Sequence, residues 1–240
     1  MSIHQITVSG LTVDVVRKNI KHLHLAVYPP EGRVRVAVPL LVDDDAVRLA
    51  VITRLGWIRR QQAKFLEQER QTAREYVSGE SHYFQGRRYL LRVIYENAPA
   101  RIAVRGSTRL EMRVRPESDT LQRKRIMMSW YRSHLRQIVP SLIDHWQTVL
   151  GVQCADWGIK HMKTKWGTCN IEARRIWLNL ELAKKSVRCL EYIVVHELVH
   201  LHERHHNTRF TQLMDQALPN WRYLRDELNR EPLAHEDWTY

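Results

Sequence analysis

Residues 192–206 read Tyr192-Ile193-Val194-Val195-His196-Glu197-Leu198-Val199-His200-Leu201-His202-Glu203-Arg204-His205-His206, an apolar run with H-E-x-x-H set inside it. Leu198, Val199 and Leu201 fill the gaps between the polar residues. A helix here is therefore apolar on nearly every side and must be buried. Two imidazoles and a carboxylate inside such a helix are costly unless a metal or strong hydrogen bonds satisfy them. Positions four apart lie one turn apart on one face, so His196 and His200 can grip one ion. Glu197 follows the first ligand, where a carboxylate can reach an activated water and act as general base. The alternative is a core helix whose histidines bond to backbone or to glutamate. Of the 13 histidines in 240 residues, five fall within 196–206 and two of those have the required phase, which favours the metal.

A catalytic zinc takes three protein ligands and keeps one position open for water. The third ligand could be His202, Glu203, His205 or His206. His202 sits about 200° around the helix from His200, facing away while the helix lasts. Glu203 returns to the ligand face, as a ligand or as an acceptor for a ligand's second ring nitrogen. His206 fits if the helix ends near residue 204, although no glycine stands at 203 to make the turn. Asn207-Thr208 offers a cap for a following helix to about Leu218, before Pro219, which favours a break just ahead of it and His206 as the ligand.

The hydrophobic share of 44% and charged share of 27% are those of a globular protein. No apolar run approaches 18 residues, and the start lacks a charged and then apolar leader, so neither a membrane helix nor a secretory signal is expected. Cys154, Cys169 and Cys189 are odd in number and widely spaced, which predicts reduced thiols in a cytoplasmic protein. The net charge of +12 attracts anions and admits nucleic acid or nucleotides as partners.

The predicted fold class is α+β. An N-terminal, mostly antiparallel β region, residues 1–117, contains Val13–Val16, His22–Val27 and, after Pro29-Pro30-Glu31-Gly32, the alternating Arg33–Val38. Asp43-Asp44-Asp45 caps one long helix from about Ala46 to Tyr76, with Trp57 expected in the core. Strands follow at Tyr89–Tyr95, Arg101–Val104 and Arg109–Val114. The boundary is placed at Pro116–Asp119, and residues 118–240 form the metal-binding domain. In it, a helix from Thr120 to Leu150 carries Pro140 inside. Strands at Trp157–Met162 and Arg175–Leu180 flank Lys163–Asn170, and the metal helix starts near Val187.

These motifs together resemble the YgjP-like metallopeptidases, along nearly the whole chain. Gly32-Arg33-Val34-Arg35-Val36 through Pro39 is similar to the family's G-x-V-x-V-x-x-P strand, and Trp57-Ile58 falls at its W-I position. Gly79-Glu80 and Gly86-Arg87-Arg88-Tyr89 resemble G-E…G-x-x-Y. Lys165-Trp166-Gly167-Thr168-Cys169 stands where the family shows R-W-G-S-C, with Leu178-Asn179 and Leu182 at L-N-x-x-L. His196-Glu197-Leu198-Val199-His200…His206…Phe210 matches H-E-L-x-H-L-x-x-x-x-H-x-x-x-F.

The resemblance implies a zincin-like fold for the second domain and makes His206 the third ligand. It implies a zinc-dependent hydrolase, with another divalent metal as an alternative, that cleaves peptide bonds in peptides or proteins with Glu197 as base. It also puts the Trp166-Gly167-Thr168 turn near the active site. Glu203 or Asn179 could orient a ligand imidazole. Two other functions stay open: hydrolysis of a nucleotide phosphoanhydride, and a DNA-associated protease or nucleic-acid-binding module. The family's distant similarity to SprT-like proteases, some of which act on proteins attached to DNA, bears on the last.

Overall fold

The alternation in Arg33–Val38 predicts a half-buried strand, and Val34, Val36 and Val38 are each buried along β4 (Arg33–Pro39). The structure, a computed structural model, describes residues 2–28, 32–67, 74–162 and 165–230. Its two compact units divide between residues 72 and 73.

In the first unit, β1 (Ser2–Val8), β2 (Leu11–Lys18), β3 (His24–Tyr28) and β4 form a sheet in the order β1-β2-β4-β3. The β2–β4 pair is parallel and the other two are antiparallel. The valines of β2 and β4 close a small core with Val47, Val51 and Ile58 from two helices. Asp43 caps the first of these, α1 (Asp44–Thr53), by accepting from Ala46 N, and α2 (Leu55–Glu67) follows. The single helix expected over Ala46–Tyr76 is thus broken at Arg54, which leaves helical geometry at φ −107°, ψ 12°. Gly56, a poor helix former, comes just after the break. Farther on, residues 68–73 lie outside the described residues, and Tyr76 takes a left-handed φ of 56°. The Glu80 carboxylate fixes that bend by accepting from Tyr76 N at 2.6 Å. Trp57 is 38% exposed and belongs to no core, because the buried phase of α2 runs through Ile58.

The second unit holds the mixed α+β domain. Strands β5 (Ser81–Phe84), β6 (Arg87–Tyr95), β7 (Arg101–Arg105) and β8 (Arg109–Val114) make a sheet in the order β5-β6-β8-β7. A capping box between Asp119 and Gln122 starts α3 (Thr120–Leu150), which runs unbroken through Pro140 to a left-handed Gly151. Its buried residues Met127, Tyr131, Leu135, Val139 and Ile143 recur every four positions and form one stripe.

That stripe shares a single core with Leu91, Leu110, Met112 and Val114 of the sheet and with the apolar residues between Cys189 and Val199. The expected boundary at residue 117 therefore does not divide the compact units. Pro116–Asp119 turns the chain and caps a helix, whereas separate cores would require the sheet and α3 to bury their apolar faces apart.

A second, small sheet has the order β10-β11-β9, built from β9 (Asp156–Lys160), β10 (Gly167–Asn170) and β11 (Arg175–Asn179). A 3-10 turn (Leu180–Lys184) leads to α4 (Val187–Val199), followed by α5 (Thr208–Ala217) and α6 (Trp221–Arg230). Strands β5 and β10, the 3-10 turn and α6 had no counterpart in the sequence reading. No helix among the described residues is long and apolar enough to cross a membrane.

Candidate metal centre

Ser186 starts α4 by accepting from Cys189 N. From Cys189 to Val199 almost every residue is buried, as an apolar helix with polar residues at 196, 197 and 200 requires. The helix ends at Val199, so His200 is its cap residue. The turn beyond it is made without glycine and without any left-handed residue. Leu201 N donates to Leu198 O at 3.0 Å, His202 N to Val199 O at 2.9 Å and Glu203 N to Val199 O at 3.1 Å. Successive tight bonds supply the reversal that a glycine would otherwise provide. Asn207 then caps α5 by accepting from Phe210 N, which leaves His206 immediately ahead of the new helix.

This path brings His196, His200 and His206 together, one ring nitrogen of each within 4.8 Å of the others. The Nε2 atoms of His196 and His206 stand 3.1 Å apart. Ligand nitrogens on one tetrahedral zinc would be roughly 3.3 Å apart, from bonds of about 2.0–2.1 Å. Phe210 backs all three rings, with centroid separations of 5.0, 4.8 and 4.7 Å from His196, His200 and His206. His200 donates from Nδ1 to the Glu203 carbonyl at 3.0 Å, which frees its Nε2 for a metal. His196 has a buried Nδ1 with no hydrogen-bond partner among the described residues, and packing against Tyr192 and Phe210 orients its ring. Burial, then the nearby His200 and His206, lowers the His196 pKa to about 3. Burial lowers that of His200 as well. Both rings are therefore neutral near pH 7, the form that ligates. The donor set fits a zinc-like ion.

Glu197 is 4% exposed, and burial pushes its carboxyl up to about 8, partly offset by the charge of Lys165. Its near neighbour is a glycine for a reason of space. A Cβ on Gly167 would lie 2.5 Å from Glu197 Oε1 and 2.7 Å from its Cγ. Lys165, Trp166, Gly167 and Thr168 line one cleft of about 860 Å³ with Glu197 and the three histidines. Trp166, Gly167 and Thr168, the turn expected near the active site, thus line the same cleft as the three histidines, with Gly167 and Thr168 belonging to β10.

The two residues named as possible orienters act differently. Asn179 is fully buried and donates to Met162 O at 2.8 Å and Lys165 O at 2.7 Å. It anchors the segment leading into β10 and bonds to no imidazole. Glu203 does orient His200, but through its backbone carbonyl; its carboxylate accepts from His205 N at 3.0 Å. His202 points elsewhere, its Nε2 at 2.7 Å from Leu150 O. Cys169 lines the cleft as a protonated thiol, held up at about 12 by burial and then by Glu197.

Tyr192, Lys165 and Arg204 also line the cleft and were not singled out beforehand. Tyr192 was legible, one helical turn before His196 on the same face. Lys165 stood in the Lys165–Cys169 motif without a role of its own, and Arg204 carried no local signal among 38 lysines and arginines.

A family model described as the YgjP-like metallopeptidase domain matches residues 21–231. The chain belongs to the YgjP-like metallopeptidase family. The match takes in both units and every residue of the cleft. No curated protein matches the chain. Among solved structures, the metallopeptidase zymogen of Pyrococcus abyssi abylysin is 22% identical, with a TM-score of 0.36, over 38% of this chain and 91% of that one. The zymogen of Methanocaldococcus jannaschii jannalysin is 18% identical, with a TM-score of 0.34, over 38% of this chain and 92% of that one.

Proposed function

We propose that the protein is a zinc-dependent peptidase in which His196, His200 and His206 hold the metal and Glu197 is the general base. The observation that carries this reading is the placement of three imidazoles, one ring nitrogen of each within 4.8 Å of the others, beside one buried carboxyl that has no ion-pair partner among the described residues and whose affinity for a proton is raised to about 8. A base works best when its pKa lies near the working pH. Zinc bound there would lower the pKa of a water and polarise the scissile carbonyl. Glu197 would take the proton from the attacking water and deliver it to the leaving amine. Another divalent ion with a taste for imidazole could serve in zinc's place.

The substrate is an extended peptide or protein segment. Strand β10 pairs only with β11 among the described residues, and its residues line the cleft. Its outer edge offers backbone donors and acceptors to an added strand.

The test is Glu197→Gln. It should keep stoichiometric zinc by elemental analysis and lose at least 100-fold in peptide cleavage. His206→Ala should lose the metal itself. Retained cleavage in the first variant, or retained zinc in the second, would overturn the assignment.

A second reading rests on one observation: Lys165, Arg204 and Arg225 all line the cleft. Three cations beside an activated water suit a nucleotide phosphoanhydride. Nucleoside triphosphate hydrolysis that disappears in the Glu197→Gln protein, with peptides left uncut, would select it.

A further inference from the structure

The outward side of the β5–β8 sheet has no part in the cleft. Register defines which residues share it. Leu90, Arg92 and Ile94 of β6 stand opposite Arg109, Glu111 and Arg113 of β8. These in turn stand opposite Arg105, Ala103 and Arg101 of β7. On the other flank, Tyr83 of β5 stands opposite Arg88. The alternate positions Leu91, Leu110, Met112 and Val114 are buried in the core, so this set faces away from it.

Six arginines thus share one sheet face with a single strand glutamate, and Glu96 lies at its end. Glu111 takes Arg105 at 3.2 Å, Arg113 at 3.7 Å and Arg92 at 3.9 Å. Glu96 takes Arg113 at 2.7 Å and Arg101 at 3.2 Å. Arg88 and Arg109 meet no carboxylate among the described residues. A face designed only for solubility would balance its charges across strands. Here two pairs of arginines, Arg101 with Arg113 and Arg105 with Arg109, are directly opposite each other, an arrangement that destabilises a sheet. A polyanion would remove that repulsion.

We propose that this face binds single-stranded nucleic acid. Neighbouring strands lie about 4.8 Å apart and same-face residues about 6.8 Å apart, so the arginines form a lattice on the scale of successive phosphates. Tyr83, Leu90 and Ile94 lie among them and offer apolar surface to unstacked bases. A duplex would instead need a helix or ribbon projecting from the protein to enter its groove. The proposal stands apart from the peptidase reading and shares no residue with the cleft.

The experiment is fluorescence anisotropy of a labelled single-stranded oligonucleotide with the full chain at increasing salt. The wild-type protein should bind in the micromolar range at physiological salt, roughly 1–100 µM, and more tightly at lower salt. The exposed Arg88 and Arg109 can be changed without breaking an ion pair. Arg88→Ala/Arg109→Ala should weaken binding about 10-fold or more and flatten the log–log salt slope by about 1.4. Circular dichroism would check that it melts as wild type does. Arg59→Ala/Arg60→Ala removes the same charge from α2 and should leave affinity within about 2-fold. Four results would overturn the proposal: no binding to the single strand, tighter binding to a duplex, equal loss in the α2 variant, or anionic phosphatidylserine vesicles binding with no binding to the oligonucleotide.

Discussion

Glu181 and Glu197 are each 4% exposed, lie in the same compact unit and are joined by one short 3-10 turn and α4. Their carboxyls nevertheless move in opposite directions. Burial raises both. At Glu181 that push is overcome by Lys184, whose Nζ donates at 2.7 and 3.0 Å, and by His161 at 3.6 Å, and the pKa falls to about 2. At Glu197 only Lys165 among the described residues opposes burial, and the pKa rises to about 8. Burial sets the size of the perturbation and the partner decides its sign. The paired carboxylate holds a turn in place. The one with no ion-pair partner among the described residues keeps its affinity for a proton.

The sharpest way to break this contrast is to remove the partner. Lys184→Met leaves Glu181 buried with only His161 beside it among the described residues, and should cost up to about 3–5 kcal/mol in denaturant unfolding. Glu197→Gln should cost less than about 1 kcal/mol or stabilise the metal-free protein, since it replaces a buried acid whose charge burial disfavours with a neutral amide. Equal losses in the two would show that pairing does not distinguish them.

A smaller effect is expected from backbone crowding. Gly167→Ala drives a methyl into the Glu197 carboxyl, and should destabilise by about 1–3 kcal/mol and reduce cleavage together. Gly158→Ala meets the Trp177 ring instead, with Cε3 at 2.7 Å, and should lower stability without a matching loss in turnover per folded molecule. Cleavage that falls alike in both would remove Gly167 from the site.

The smallest effect per step is the pH response. A raised folded pKa means that protonated Glu197 suits the metal-free fold and that stability is lost as pH rises from about 4.5 to 8. Glu181 has the opposite sign: its stabilisation is present above 4.5 and is lost as pH falls toward 2. The stability difference between Glu197→Gln and the wild type, both metal-free, should therefore grow between pH 5 and 8. The slope should not exceed about 1.4 kcal/mol per pH unit. A difference that stays flat would show that the carboxyl titrates normally.

Local pattern made α3, α4, α5 and most strands legible, because caps such as Asp119 and Asn207 and the two- and four-residue periods act over a few positions. It also set His196, Glu197 and His200 in phase. It did not mark β10, whose Gly167 is a strand residue because it pairs with Leu178 of β11. It did not show α6, whose face is covered by α4. The unit boundary was misplaced because a turn with Pro116 looks the same whether the flanking elements share a core or not.

What the sequence alone determined is the chemistry on offer: a buried helix that must satisfy two imidazoles and an acid, and the motifs that mark the family. What only the tertiary structure decided is which groups meet. The turn after Val199 swings His206 to within 3.1 Å of His196, and the Glu203 carbonyl, not its carboxylate, aims His200. Burial raises the Glu197 carboxyl, whereas Lys184, three residues along the 3-10 turn, and the sequence-distant His161 lower that of Glu181. Periodicity is a property of neighbours along the chain, whereas a pKa and a coordination shell depend on neighbours in space.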